Sequence, residues 1–160
     1  MFVLPKGEDS NEILHGLWLG NAKAAANEVF LKDKNIGAVF NCTKDLPFHR
    51  CVKRCYRVPV DDNLQDSEIR NLELWSFEII VKLSKEYKEG RPVLVHCAMG
   101  MQRSAAVIAM FLIAFKNMSA EEAIAFIREK RPIAFMPMTN FSRSIKGFEA
   151  ALQKIHLESI

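Results

Sequence analysis

The chain has 160 residues, 49% hydrophobic and 26% charged, which fits one domain over residues 1–160 and excludes a disordered polymer. Its 22 basic and 19 acidic residues leave a net charge of +3, too small an excess to mark a nucleic-acid binder on charge alone.

Ile13 to Gly20 reads as a short strand ending at a Gly20-Asn21 turn. Asn21 to Lys32 is alanine-rich and reads as one helix. Ile36 to Asn41 and Tyr56 to Val60 read as strands, and Asp61 to Asp66 as a polar loop. From about Ser67 to Glu89 the apolar residues Ile69, Leu72, Trp75, Ile79, Ile80, Leu83 and Tyr87 recur at helical spacing. Gly90 ends that helix. Pro92-Val93-Leu94-Val95 suits a buried central strand, and a helical pattern resumes near Arg103. Ser119-Ala120-Glu121-Glu122 is a capping box that opens a helix through Glu129, and Arg131-Pro132 stops it. Thr139 is placed to cap a last helix with Phe141, Ile145, Phe148 and Leu152 on one stripe. Strands alternating with helices predict an α/β fold, a central mixed sheet with helices on both faces.

The chemistry concentrates in Val93 to Ser104, which reads as strand, tight loop, helix. A loop feeding a helix N-terminus turns backbone N–H groups toward an oxyanion. Ala98, Met99, Gly100, Met101 and Gln102 are the candidates for that cradle, and Gly100 permits a turn that a side chain resists. Arg103 adds a planar fork of donors for two phosphate oxygens. Cys97 lies at the base of this positive field, which favours a nucleophilic thiolate. Cys51 to Arg57 repeats the Cys-to-Arg spacing as a decoy. It lacks the preceding His, the loop Gly and the apolar strand leading in, and it runs into a strand.

His96-Cys97-x-x-Gly100-x-x-Arg103-Ser104 resembles the signature of the protein tyrosine and dual-specificity phosphatases. Leu17-Trp18-Leu19-Gly20-Asn21, Val39-Phe40-Asn41, Arg131-Pro132 and Phe148-Glu149 are similar to the small dual-specificity group, so the likeness runs from about Ile13 to Glu149. Met99 and the stretch Ala134 to Asn140 depart from the usual pattern. The few residues before Ile13 leave no room for a kinase-docking domain, which fits a small atypical member.

Expulsion of an alkoxide or phenoxide needs a general acid. Asp61 and Asp62 follow the strand that ends at Val60, with Asp66 further on. Matching Val58-Pro59-Val60-Asp61-Asp62 to the family pattern puts the acid at Asp62, with Asp61 next. The resemblance implies a cysteinyl-phosphate on Cys97, a hydrogen bond from Ser104 to the departing thiolate, and His96 as a loop-orienting residue. It requires no metal and no cofactor.

The loop residues Ala98, Met99, Met101 and Gln102 are uncharged, whereas relatives that take phosphoinositides carry lysines there. Relatives that act on RNA 5′ ends carry Thr-Gly after the Arg, and here Ser104-Ala105 follows. Phosphoproteins are therefore the expected substrates, and the resemblance implies a shallow pocket that accepts phosphotyrosine and phosphoserine/phosphothreonine. An RNA 5′-phosphatase or a lipid or glycan phosphatase is the alternative. Phosphorylated proteins are the expected partners; nucleic acid is not favoured, and nothing sets the oligomeric state. Arg50, Lys53, Arg54 and Arg57 form a basic cluster, either a solvated face or a dock for acidic partners.

No secretory leader is expected, since Pro5 breaks the short apolar start. The longest apolar run, Ala105 to Phe115, falls short of the ~20 residues a bilayer demands and reads as a core helix. The expected location is cytoplasmic or nuclear, with Cys42, Cys51, Cys55 and Cys97 as free thiols. Cys51 and Cys55 have no second pair at zinc-site spacing. Cys42 ends its strand and is a candidate for a protective disulfide with Cys97 under oxidation, or is simply a small buried hydrophobe.

Overall fold

A computed structural model describes residues 7–159. Five strands, β1 (Ser10–Leu14), β2 (Leu17–Gly20), β3 (Ala38–Asn41), β4 (Arg54–Arg57) and β5 (Val93–His96), form one sheet in the order β1-β2-β5-β3-β4. β1 runs antiparallel to β2 and every other pair is parallel, so the sheet is mixed. The helices are α1 (Ala22–Ala26), α2 (Glu28–Asp33), α3 (Asp66–Lys88), α4 (Arg103–Lys116), α5 (Ala120–Lys130) and α6 (Ser142–Glu158).

Side chains alternate across a strand, and this sheet uses both faces. Leu17, Leu19, Ala38, Phe40, Val93 and Val95 pack into the larger core with α3 to α6. Val39 and Leu94 point the other way, with Ala25, Leu31, Ile36 and Val52, toward the thin layer of α1 and α2. The expected helices on both faces are present, in unequal amounts.

α4 is the centre of the larger layer. Every residue from Ser104 to Ile113 is buried. Full burial of one large apolar side chain stabilises by roughly 1.5–3 kcal/mol. A neutral hydrogen bond contributes about 0.5–1.5 kcal/mol. The packing of Val107, Ile108, Met110, Phe111 and Leu112 therefore fixes where the α4 N-terminus points. β5 sits mid-sheet, so the loop between β5 and α4 is held at both ends by core.

Some boundaries differ from the sequence reading. Ile13 to Gly20 is not one strand but parts of a hairpin that turns at Gly16, whose φ of +79° suits a residue without Cβ. Asn21 to Lys32 divides into two helices because Asn27 caps the second, its side chain accepting from Phe30 N at 3.1 Å. The strand expected at Tyr56 to Val60 is instead Arg54–Arg57, on the sheet edge. Pro59 has no N–H to continue a ladder. The capping box at Ser119 and Glu122 is formed in both directions. Thr139 does not cap α6: Phe141 occupies that position without a side-chain bond, and Thr139 contributes only its carbonyl to Ser142 N. Among the described residues no single helix is long and apolar enough to cross a membrane.

Candidate active site

The loop from Cys97 to Gln102 has its carbonyls turned outward, each taken by the scaffold. Cys97 O meets His96 Nδ1 at 3.3 Å. Ala98 O accepts from Ala22 N at 3.0 Å, and Met101 O from Phe135 N at 2.8 Å. Met99 O and Gly100 O accept from the Arg131 guanidinium at 3.3 and 2.8 Å. Among the described residues none of the amides from Ala98 to Gln102 donates to a protein acceptor. The loop is thus a ring of free N–H donors at the start of α4, where the helix dipole also favours an anion.

Gly100 makes this turn at φ +66°. A Cβ there would stand 2.6 Å from Gly20 O and 2.8 Å from Arg131 Nη2. Both the conformation and the close approach require glycine.

Cys97 is 2% exposed, and its Sγ lies 3.1 Å from Ser104 Oγ. Arg103 Nη1 donates to Val60 O at 2.9 Å, which aims the guanidinium across the loop. Its buried Nε has no partner among the described residues. A buried donor left unpaired is costly, so this edge of the fork suits an incoming acceptor. Burial lowers the His96 pKa to about 4, and the positive Arg57 and Arg103 push the same way. The imidazole is therefore neutral at physiological pH, with Nδ1 against Cys97 O and a buried Nε2 that has no partner among the described residues.

Cys97, Arg103 and Asp62 line one small cavity of about 140 Å³, together with Met99, Met101, Gln102, Met136 and Asn140. The cavity brings a thiol and a carboxyl group together beside a ring of free backbone amides.

Residues 17–151 match the family model described as dual specificity phosphatase, catalytic domain. The chain belongs to the dual specificity phosphatase family.

Dual specificity protein phosphatase 1B of Arabidopsis thaliana is 31% identical over 94% of this chain and 88% of its own length. Dual specificity protein phosphatase 1 of the same plant is 29% identical over 88% of this chain and 69% of its own. The crystal structure of human DUSP28 superposes with a TM-score of 0.79 at 25% identity, covering 94% of this chain and 99% of that one. The fold is that of the protein tyrosine phosphatases, and the protein is a small, atypical dual-specificity phosphatase, a phosphoric monoester hydrolase.

Within this phosphatase the candidate acids separate by direction. Asp62 reaches the cavity. Asp61 turns away and pairs with Lys44 at 3.0 Å, while its amide donates to Glu68. Asp66 opens α3 and pairs with Arg143 at 2.8 Å. The decoy lies elsewhere, with Cys55 exposed on the edge strand β4. Two of the four basic residues near it are already engaged. Arg54 pairs with the buried Glu86, and Arg57 donates to Thr43 O and Leu46 O. Cys42 is fully buried; burial pushes its thiol well up from the ordinary value, and the Cys97 charge adds to this.

Three side chains in the site carry jobs that the motif does not announce. Arg131 is fully buried, and besides the loop carbonyls it binds Glu8 O and Asn11 Oδ1, both at 2.7 Å. Its charged donors clamp the loop to the β1 end of the sheet, each such bond contributing about 1.5–3 kcal/mol. The Gln102 side chain turns away from the anion cradle and into the segment 136–140. Asn140 donates to Asp62. The only sequence signal for the first was Arg131-Pro132 itself; no local pattern marks the other two.

Proposed function

We propose that this phosphatase hydrolyses phosphotyrosine and phosphoserine/phosphothreonine in proteins through a cysteinyl-phosphate on Cys97. The observation that carries the reading is the ring of free amides from Ala98 to Gln102 closed by the unpaired Arg103 Nε, with Cys97 at its base. These donors bind the three equatorial phosphate oxygens and their growing charge. The Cys97 thiolate attacks phosphorus in line. The S–P bond forms as the P–O bond to the leaving group breaks, and Asp62 gives its proton to the departing oxygen. Water then attacks the phosphocysteine while Asp62 takes the water proton. The new P–O bond forms, the S–P bond breaks, and Ser104 stabilises the released thiolate across 3.1 Å.

The rim supports protein substrates. Met99 is 65% exposed beside the cavity, and the loop carries no charged side chain before Arg103. An uncharged loop offers nothing to the additional phosphates of a phosphoinositide or a triphosphorylated RNA end.

Asp62→Ala is expected to slow a phosphothreonine peptide on the order of 10²–10⁴-fold. The loss should be smaller on a phosphotyrosine peptide and smallest on p-nitrophenyl phosphate, whose leaving group needs least help. Equal losses on all three would remove Asp62 as the acid. Faster turnover of phosphoinositide or triphosphorylated RNA than of either peptide would replace the protein-substrate reading.

A further inference from the structure

Asp62 is exposed on an irregular loop, and an exposed carboxyl on such a loop has no reason to hold one orientation. It is nevertheless held. Asn140 Nδ2 donates to Asp62 Oδ1 at 3.0 Å, across 78 positions of sequence. Asn140 is itself fixed, because its backbone N donates to Gln102 Oε1 at 3.0 Å. Gln102 Nε2 donates at 3.1 Å to Met136 O and at 2.7 Å to Met138 O. Gln102 is 5% exposed, so both donors and the acceptor of its amide are used inside the protein. One side chain of the anion loop therefore anchors segment 136–140 at three points, and that segment delivers an amide to the acid.

We propose that Asn140, held by Gln102, is a positioning residue for the general acid, coupling the phosphate loop to the proton donor. This rests on the assignment of Asp62 as the acid. The Asn140 N–H occupies Oδ1 as an acceptor in both protonation states, so the proton that is given and taken back resides on Oδ2. The carboxyl is thus presented one way round at the moment the leaving oxygen needs it. A misplacement of about 1 Å can cost 10²-fold, so the orientation carries weight in the rate. Because the tether starts in the loop that binds phosphate, the loop and the acid stay in register with each other.

The test is a double-mutant cycle of Asp62→Ala and Asn140→Ala, read as kcat and KM on a phosphothreonine peptide and on p-nitrophenyl phosphate. Asn140→Ala is expected to lower kcat on the peptide on the order of 10- to 100-fold with KM little changed. The peptide should suffer roughly 10-fold more than p-nitrophenyl phosphate. In the Asp62→Ala background the same change should cost nothing further, because the group it positions is gone. Asn140→Leu keeps the size and the backbone bond but has no donor for Asp62, and it should reproduce the pattern if the alanine variant folds poorly. Equal losses on both substrates, full additivity with Asp62→Ala, or an unchanged peptide kcat in both Asn140 variants would overturn the proposal. An Asp62→Ala enzyme with undiminished peptide turnover is a different result: it overturns the acid assignment and takes the tether's catalytic role with it.

Discussion

Cys97→Ser is expected to lose on the order of 10⁴- to 10⁶-fold in kcat on phosphotyrosine and phosphothreonine peptides alike, while still binding them. The thiolate is a strong nucleophile at neutral pH and a hydroxyl is not. The site has no means of activating a serine there. The polar side-chain neighbour of Cys97 Sγ is Ser104, a hydroxyl at 3.1 Å, and among the described residues His96 makes no bond to that sulfur, its Nδ1 facing the Cys97 carbonyl at 3.3 Å. The loss should not depend on the leaving group, in contrast to Asp62→Ala. Binding should survive because the cradle is made of backbone amides, whose orientation is set by carbonyl contacts that the substitution leaves alone. Titration calorimetry with a phosphopeptide, beside steady-state rates, reads both halves. Substantial turnover by Cys97→Ser would require a different nucleophile. Loss of binding together with rate would mean that the substitution had disturbed the loop.

Arg103→Ala should cost on the order of 10³–10⁵-fold, the range seen when an arginine leaves a phosphoryl-transfer site. The guanidinium has one nitrogen bound to Val60 O and a buried Nε without a partner among the described residues, and the Val60 bond fixes its position before substrate arrives. Arg103→Lys should recover little of this. A lysine ammonium supplies charge but not a planar fork, and it cannot both hold Val60 O and grip two phosphate oxygens. The two enzymes are compared by kcat/KM on one phosphotyrosine peptide. Recovery of most of the rate by lysine would reduce the role of Arg103 to simple charge.

The contrast between Cys97 and Arg131 shows what a sequence can carry. Val93 to Arg103 is legible because a buried strand, a glycine turn and a helix start follow one another, and each residue's part depends on its neighbours in the chain. The work of Arg131 depends on Gly100, Met99, Glu8 and Asn11. Nothing near it in sequence predicts those partners. Asn140 and Gln102 meet across 38 positions, in a stretch that departs from the family pattern. Asp61 and Asp62 look equivalent as letters, and direction separates them: one is drawn to Lys44 and the other to the cavity. Strand ends are hard to read from the sequence for a related reason. β4 is an edge strand whose burial does not alternate, so its apolar content does not fix its ends. α4 and β5 are buried almost throughout; α4 begins at Arg103, where the pattern put it, and β5 covers Val93–His96, one residue on from the expected Pro92 to Val95.

During turnover the enzyme is expected to carry a phosphoryl group on Cys97. The most direct measurement is rapid quenching of the Ser104→Ala enzyme during turnover of a phosphotyrosine peptide, followed by mass spectrometry of the fragment containing Cys97. Without the Ser104 hydroxyl to stabilise the departing thiolate, breakdown of the intermediate should be slowed more than its formation. The fragment should then gain the mass of one phosphoryl group, held on sulfur, and the gain should vanish in the Ser104→Ala enzyme that also carries Cys97→Ser. Turnover with no phosphoryl group on Cys97 at any time point, and with phosphate released in step with the first cycle, would contradict it.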